Sequence, residues 1–411
     1  MKAHSSLCAL GVLFVASCSG GQPGQRDGAV DLTTDDGPVE TLPRDALSDA
    51  SAEGDSSPDA APALASPHEL ATRMSRFLWG LPAADLEVEA ALGAAPSAED
   101  VASVASTMLK DARARDGIRG LVRWLLRLDA LETQPKQGVT LSPALRASLA
   151  EEAPRFASYV ILDGDDSFET LFLAPYTFMD RTLAEHYGVT PAGEDFQRTA
   201  YPTTDRVGLL GGAGVLTRYA SVTEPSWPAR RFWMLSDILT CESYAIDAPA
   251  PGVVGTPTTS ATSGRQQMID ITNSDRCMVC HFVINPLSFA FNAFDFLGRR
   301  QMTDVDRAVD TSSTVPAAGG QPAITSVDQP DMMKTLVARP SSRRCFARRV
   351  LAYAVNPAPP AGDQNHALAE SGSAAFRSSL TLVKDGFEHN ESLTNLFVAI
   401  TRTPAFLAPA P

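Results

Sequence analysis

The sequence predicts a mainly α protein, with multi-helical domains and an irregular, loop-rich middle segment that carries a cofactor motif. Three observations carry this expectation. Apolar residues recur at helical spacing through 67–200 and again through 331–411. Pro82, Pro96, Pro135 and Pro143 fall between those stripes, at helix starts and in loops. Segment 201–330 has a Gly-rich run at 206–215 and two Pro/Gly/Ser/Thr stretches, 249–264 and 311–330, without periodicity.

From the N-terminus, Met1-Lys2 precedes a short apolar core, Leu7 to Ala16, which is too short to span a bilayer and reads as a signal. Val15-Ala16-Ser17-Cys18 resembles a bacterial lipoprotein signal cut after residue 17, with Cys18 taking lipid. An ordinary secretion signal with a chance cysteine is the alternative. Ser19 leans the expectation toward the outer membrane over the inner one. Segment 18–66 is an acidic tether. Between Ser19 and Ser66 ten acids face two arginines, a net −8 within the chain's formal −14. Such a segment cannot bury enough apolar surface to offset its chain entropy, so disorder is expected. The acidity therefore belongs mostly to a stalk, and no basic patch of the kind nucleic-acid binding needs is present.

Three folded segments are expected: helical 67–200, loop-rich 201–330 and helical 331–411. In the first, 69–79, 101–109 and 118–131 carry apolar stripes, the last with Leu121, Trp124, Leu125 and Leu128. Asp163-Gly164-Asp165-Asp166 reads as a capping turn, because no EF-hand glutamate follows it. The Gly-rich run lacks the Gly-Lys-Ser/Thr of a phosphate loop. Helices are expected at 332–338, 343–354 and 393–401 in the last segment.

Cys277-Met278-Val279-Cys280-His281 is the C-x-x-C-H pattern of covalent haem attachment. Two thiols three residues apart add across two vinyl groups, and the adjacent histidine takes the iron. On a helix, i, i+3 and i+4 share a face and can reach one planar group. A reversible C-x-x-C disulfide and half of a zinc site are the competing readings. One covalent haem c requires export, as the N-terminal signal independently does. Phe282, Phe289, Phe291, Phe294 and Phe296 follow the histidine closely, as a haem wall or as plain core. Arg299 and Arg300 could pair with propionates or form surface salt bridges. For the sixth iron position Met302, Met332, Met333, His186, His366 and His389 are all open, as is a vacant site. Cys241 and Cys345 are the even pair left after signal, lipid and haem are assigned. In an oxidising compartment they would form a disulfide, and two buried free thiols are the alternative.

Read in order, the blocks resemble planctomycete-type cytochrome C domain proteins, secreted proteins assembled from units of unknown function. The resemblance rests on Arg76 to Pro82; on Tyr176-Thr177-Phe178 with Leu183 to Gly188; on Arg206 to Leu210 and Pro225 to Arg231; on Cys277 to Arg300; and on Arg343-Arg344-Cys345 with Thr403 to Phe406. It covers about residues 67 to 411 and implies architecture and a cofactor, not a substrate. Three positions depart from the pattern, one of them Ser288, where those relatives have glycine. Asn285 stands where those relatives have aspartate, and Asn292 where they have glutamate, while Asp295 and Gly298 are kept. Losing both carboxylates would alter the electrostatics beside the motif. Three classes of function stay open. They are a membrane-anchored electron-transfer cytochrome with a redox protein partner, a haem peroxidase or oxygenase, and a surface binding or scaffold lipoprotein with structural haem or none.

Overall fold

The structure is a computed structural model that describes residues 64–136, 138–220, 228–241, 263–305, 307–317, 321–355, 374–388 and 392–409. The signal, Cys18, nearly all of the tether, His366 and His389 lie outside the described residues.

Capping chemistry starts the first helices. Ser66 and Glu69 exchange bonds in a capping box at α1 (Pro67–Trp79), and Gly80, in the left-handed region, ends it. Asp85 and Ser97 cap α2 (Leu86–Leu92) and α3 (Ala98–Met108). α4 (Ala114–Leu126) buries Ile118, Leu121, Val122 and Leu125. The helix expected over 118–131 breaks at Arg127, which has φ +50° and leads into a 3-10 turn, Leu128–Glu132. The Arg127 carbonyl, turned out of the helix, accepts from Arg218 Nε at 3.0 Å.

The long α5 (Pro143–Leu162) lies against α4 and is followed by α6 (Phe168–Leu173). The acidic turn between them does cap a helix, but a distant one. The Asp166 carboxylate accepts from the Ser392 and Thr394 hydroxyls at 2.5 and 2.6 Å and from the Thr394 N–H at 3.0 Å. β1 (Tyr176–Met179) pairs antiparallel with β2 (Gln197–Ala200), Tyr176 opposite Ala200, and α7 (Arg181–Tyr187) lies between them in sequence. The Gly-rich run forms α8 (Gly208–Gly211) and α9 (Ala213–Arg218). Its glycines serve close backbone approach. A Cβ at Gly208 would lie 2.0 Å from the Phe172 carbonyl oxygen, and one at Gly214 would lie 1.8 Å from that of Leu149.

α10 (Pro228–Leu235) runs into a π-helical turn, Ser236–Thr240. α11 (Gly264–Thr272) and α12 (Asp275–Phe289) follow, then two short antiparallel hairpins, β3 (Thr303–Asp304) with β4 (Arg307–Ala308) and β5 (Ser313–Val315) with β6 (Ile324–Ser326). The second hairpin lies in a stretch whose sequence shows no periodicity. α13 (Gln329–Val337), α14 (Pro340–Val355), α15 (Ala374–Glu388), α16 (Leu393–Thr401) and α17 (Pro404–Leu407) close the chain. The fold is mainly α, and none of the described helices is long and apolar enough to cross a membrane.

The two ends of the folded part meet. Arg73 donates to the Phe406 and Ala408 carbonyls at 2.6 and 2.5 Å, and the Ala65 N–H donates to that of Leu407 at 2.8 Å. The Phe77 ring lies 5.7 Å from Phe397 and 6.1 Å from Phe406, in edge-on or tilted contact. One apolar core runs from Ala65 to Leu407.

Cys241, at the end of the π-helical turn with φ +49°, is disulfide-bonded to Cys345 on α14, with a Cα–Cα separation of 5.3 Å. The same junction holds a buried charge cluster: Asp237 pairs with Arg349 at 3.2 Å and lies 3.8 Å from Arg127. A loop of 104 residues closed by the bond should contribute roughly 4–5 kcal/mol in the chain-entropy account, an upper figure. Alkylation of denatured, unreduced protein should leave Cys241 and Cys345 unlabelled, whereas labelling of both would contradict the bond.

Candidate functional site

The motif occupies the first turns of α12. Ser274 is its N-cap, and the Cys277 and Met278 N–H groups both donate to the Ser274 carbonyl at 2.9 Å. Helix geometry sets Cys277, Cys280 and His281 on one face. All three are half-buried, and both thiols are free. Burial pushes the Cys280 thiol up, and neighbouring Cys277 adds to the shift. A redox-active C-x-x-C pair relies on the opposite, a lowered thiol that is thiolate near neutrality. Met278 and Val279 leave large apolar side chains exposed within this turn.

His281 is anchored from behind. Its Nδ1 lies 2.8 Å from Asn285 Oδ1, one turn along α12. Asn285 Nδ2 donates to Thr272 Oγ1 at 2.8 Å, and the Thr272 hydroxyl donates to the Met268 carbonyl at 2.7 Å. Asn285, Thr272 and Met268 are buried. The two helices α11 and α12 thus share one polar chain that ends on the imidazole.

After α12 the chain turns without forming a helix, and its carbonyls need donors. The buried Arg231 of α10 supplies them, donating to Phe291 and Phe294 at 2.5 Å each and to Asp295 at 3.1 Å. Arg206 donates to Gly298 at 2.7 Å and Gly211 at 2.9 Å. Asp295 receives the Leu297 and Arg299 N–H groups at 2.9 and 2.8 Å, and Gly298 has φ +69° with Ala213 against its α-carbon. The aspartate and glycine kept from the family pattern therefore shape this turn.

Several expected site residues have other work. Phe289, Phe291, Phe294 and Phe296 are buried in the core, where Arg206 lies 4.3 Å over Phe294 and Arg265 4.3 Å over Phe289. Of the five, Phe282 alone is half-exposed. Arg299 pairs with Asp295 at 2.7 Å and Arg300 with Asp205, so carboxylates of the protein already engage both. Met332 and Met333 are buried, and Met302 is exposed. His186 Nε2 meets the Leu297 carbonyl at 2.9 Å, and burial pushes its pKa down. Asn292 Nδ2 donates to the Asp310 carbonyl at 3.3 Å, a bond a glutamate could not donate. Sequence reasoning missed Arg206, Arg231 and Thr272 as parts of this neighbourhood. The two arginines stand in family-like blocks, but nothing in their spacing gives their role. Among the described residues no three His, Cys, Asp or Glu side chains gather as a metal-ligand set.

A second polar centre braces the first. Buried Glu152 on α5 accepts from Tyr187 OH at 2.5 Å, the Gly214 N–H at 2.9 Å and Thr177 Oγ1 at 3.1 Å. Tyr187 OH in turn accepts from the Ala213 N–H at 2.7 Å and from Arg206 at 3.2 Å. Burial pushes the Glu152 carboxyl above its usual 4.5, while the Gly214 N–H, Tyr187 and the Arg206 charge pull the other way. A carboxyl raised in the fold binds its proton more tightly there than in the unfolded chain. Its contribution is complete below about pH 4.5 and is lost as pH rises through the folded value. Relative to Glu152→Gln, the parent protein should therefore lose stability as pH climbs from about 4.5. Parallel denaturation midpoints across that range would contradict this.

Residues 65–189 match the family described as Protein of unknown function (DUF1592), and residues 206–304, which include Cys277 to His281, match Protein of unknown function (DUF1588). No curated protein and no solved structure matches the chain.

Proposed function

The chain belongs to the planctomycete-type cytochrome C domain family, and on that premise we propose that it is an exported, lipid-anchored electron-transfer cytochrome holding one covalent haem c through Cys277, Cys280 and His281. One observation supports this reading above the others. The two free thiols share a helix face with an imidazole whose Nδ1 already has a partner, which leaves Nε2 for iron. Covalent attachment needs no gathering of three ligands at one point, because only the histidine reaches the metal. Each thiol adds across a vinyl double bond, sulfur to one carbon and hydrogen to the other, so attachment requires no oxidant. When bound, the haem supplies one-electron exchange.

The chain's own residues suit that role. The half-exposed motif favours exchange with a redox protein at the surface over chemistry in a closed pocket. Among the described candidates for the sixth iron position, His186 is bonded to the Leu297 carbonyl and Met332 and Met333 are buried in the core, which supports electron transfer over peroxidase chemistry. A lipid on Cys18 would hold the protein at the membrane, with the outer membrane favoured, and the acidic tether would give it reach.

Protein exported beside a haem-maturation system should titrate reversibly between two redox states and bind carbon monoxide slowly or not at all. Rapid carbon monoxide or cyanide binding would favour the enzymatic reading instead. In the same cells Cys18→Ala should shift the protein from the membrane fraction to the soluble one, and unchanged partitioning would remove the lipid anchor from the account.

A further inference from the structure

We propose that Asn285 is a positioning residue that holds His281 in a single tautomer as a neutral ligand, and so sets the iron to a higher reduction potential than a carboxylate at that position would. The inference rests on the haem reading above and adds to it a residue and a direction.

The direction of the hydrogen bonds is set at the buried end of the chain. The Met268 carbonyl can only accept, so the Thr272 hydroxyl at 2.7 Å donates to it. Having spent its one proton, Thr272 Oγ1 can only accept from the Asn285 amide at 2.8 Å. The group facing it is therefore the NH2, and the amide oxygen faces His281 Nδ1 at 2.8 Å. An oxygen acceptor there requires the proton on Nδ1. Nε2 is then a lone pair, the form a metal requires. With the Thr272 hydroxyl on Met268, direction passes along all four groups, and reversing it requires that hydroxyl to give up Met268 and turn to the amide oxygen. Asn285 and Thr272 are 5% and 4% exposed, so water cannot readily substitute for either.

The chemistry of the acceptor decides the second half. A carboxylate accepting from Nδ1–H draws the proton toward itself and gives the imidazole anionic character, which favours the more highly charged ferric iron. A neutral amide accepts more weakly and leaves the imidazole neutral. An aspartate at 285 could also accept from Thr272 only by turning that hydroxyl away from Met268, so the chain as built is matched to an amide. The departure from the family pattern is thus a coherent substitution in which the neighbouring hydroxyl takes part.

Redox titration of the matured full-length protein tests the claim. In Asn285→Asp, the ratio of reduced to oxidised iron at a fixed potential should fall about tenfold, which is about 59 mV for one electron. An unchanged or raised potential in a variant with haem attached would overturn the inference while leaving the haem assignment intact. A second measurement does not depend on haem. The exported full chain carrying Cys277→Ser and Cys280→Ser can be labelled at histidine nitrogen and assigned by loss of the His281 signals in His281→Gln. At about pH 8.5, where an ordinary imidazole is neutral, His281 should show a protonated Nδ1 and an unprotonated Nε2. Adding Asn285→Ala or Thr272→Val should give a tautomer mixture. A mixture already present before either change would overturn the proposal. Absence of haem from the parent protein with a single His281 tautomer would instead count against the function.

Discussion

Arg206 and Arg231 hold a buried stretch of chain that has no secondary structure of its own. In the turn after α12 the two guanidiniums donate to the carbonyls of Phe291, Phe294, Asp295 and Gly298, of which Phe291 and Asp295 also accept the Phe294 and Gly298 N–H groups. A buried carbonyl left without a donor costs about 1–3 kcal/mol, and Phe294 and Gly298 have no other donor among the described residues. A guanidinium suits this task because its donors fan out in a fixed plane and can address several carbonyls at once. Glu152 lies close enough to Arg206 to lower the cost of burying that cation, and through Tyr187 it ties the arginine to α5, α7 and α9. The C-terminal end of α12 is fixed by these bonds. Its other end is then free to present Cys277, Cys280 and His281 at the surface.

Much of the helical architecture was legible in the sequence, because amphipathic stripes and caps are local signals. The stripe of Leu121, Leu125 and Leu128, all buried, belongs to that class. The break at Arg127 was not legible, since it depends on a bond to Arg218, 91 residues away. The same holds for the acidic turn, whose capping partners Ser392 and Thr394 lie more than 220 residues downstream. Short hairpins such as β5–β6 escaped because three-residue strands carry too little alternation to register. The purpose of the Gly-rich run, letting α8 and α9 approach the carbonyls of Phe172 and Leu149, is a tertiary fact.

The Cys241–Cys345 bond, expected from cysteine parity, is present in the structure. For the residues around the motif the sequence leaves two roles open, and the structure shows one of them. Four phenylalanines that could have lined a haem are core, and the two arginines that could have met propionates are engaged with Asp295 and Asp205. Asn285 looked like the loss of a charge. In three dimensions it is the middle of a hydrogen-bond chain from Met268 to His281. Spacing reveals the C-x-x-C-H pattern, whereas the contacts of its histidine come from elsewhere in the fold.

The central question is whether Cys277 and Cys280 carry a covalent haem with His281 as its iron ligand. Intact mass measurement of the full-length protein, exported from cells with a working c-type maturation system, addresses that directly. The protein should be heavier by one haem than its Cys277→Ser/Cys280→Ser counterpart after correction for the two substitutions, and acid acetone should not remove the difference. Equal corrected masses for the two proteins, both folded and exported, would contradict it.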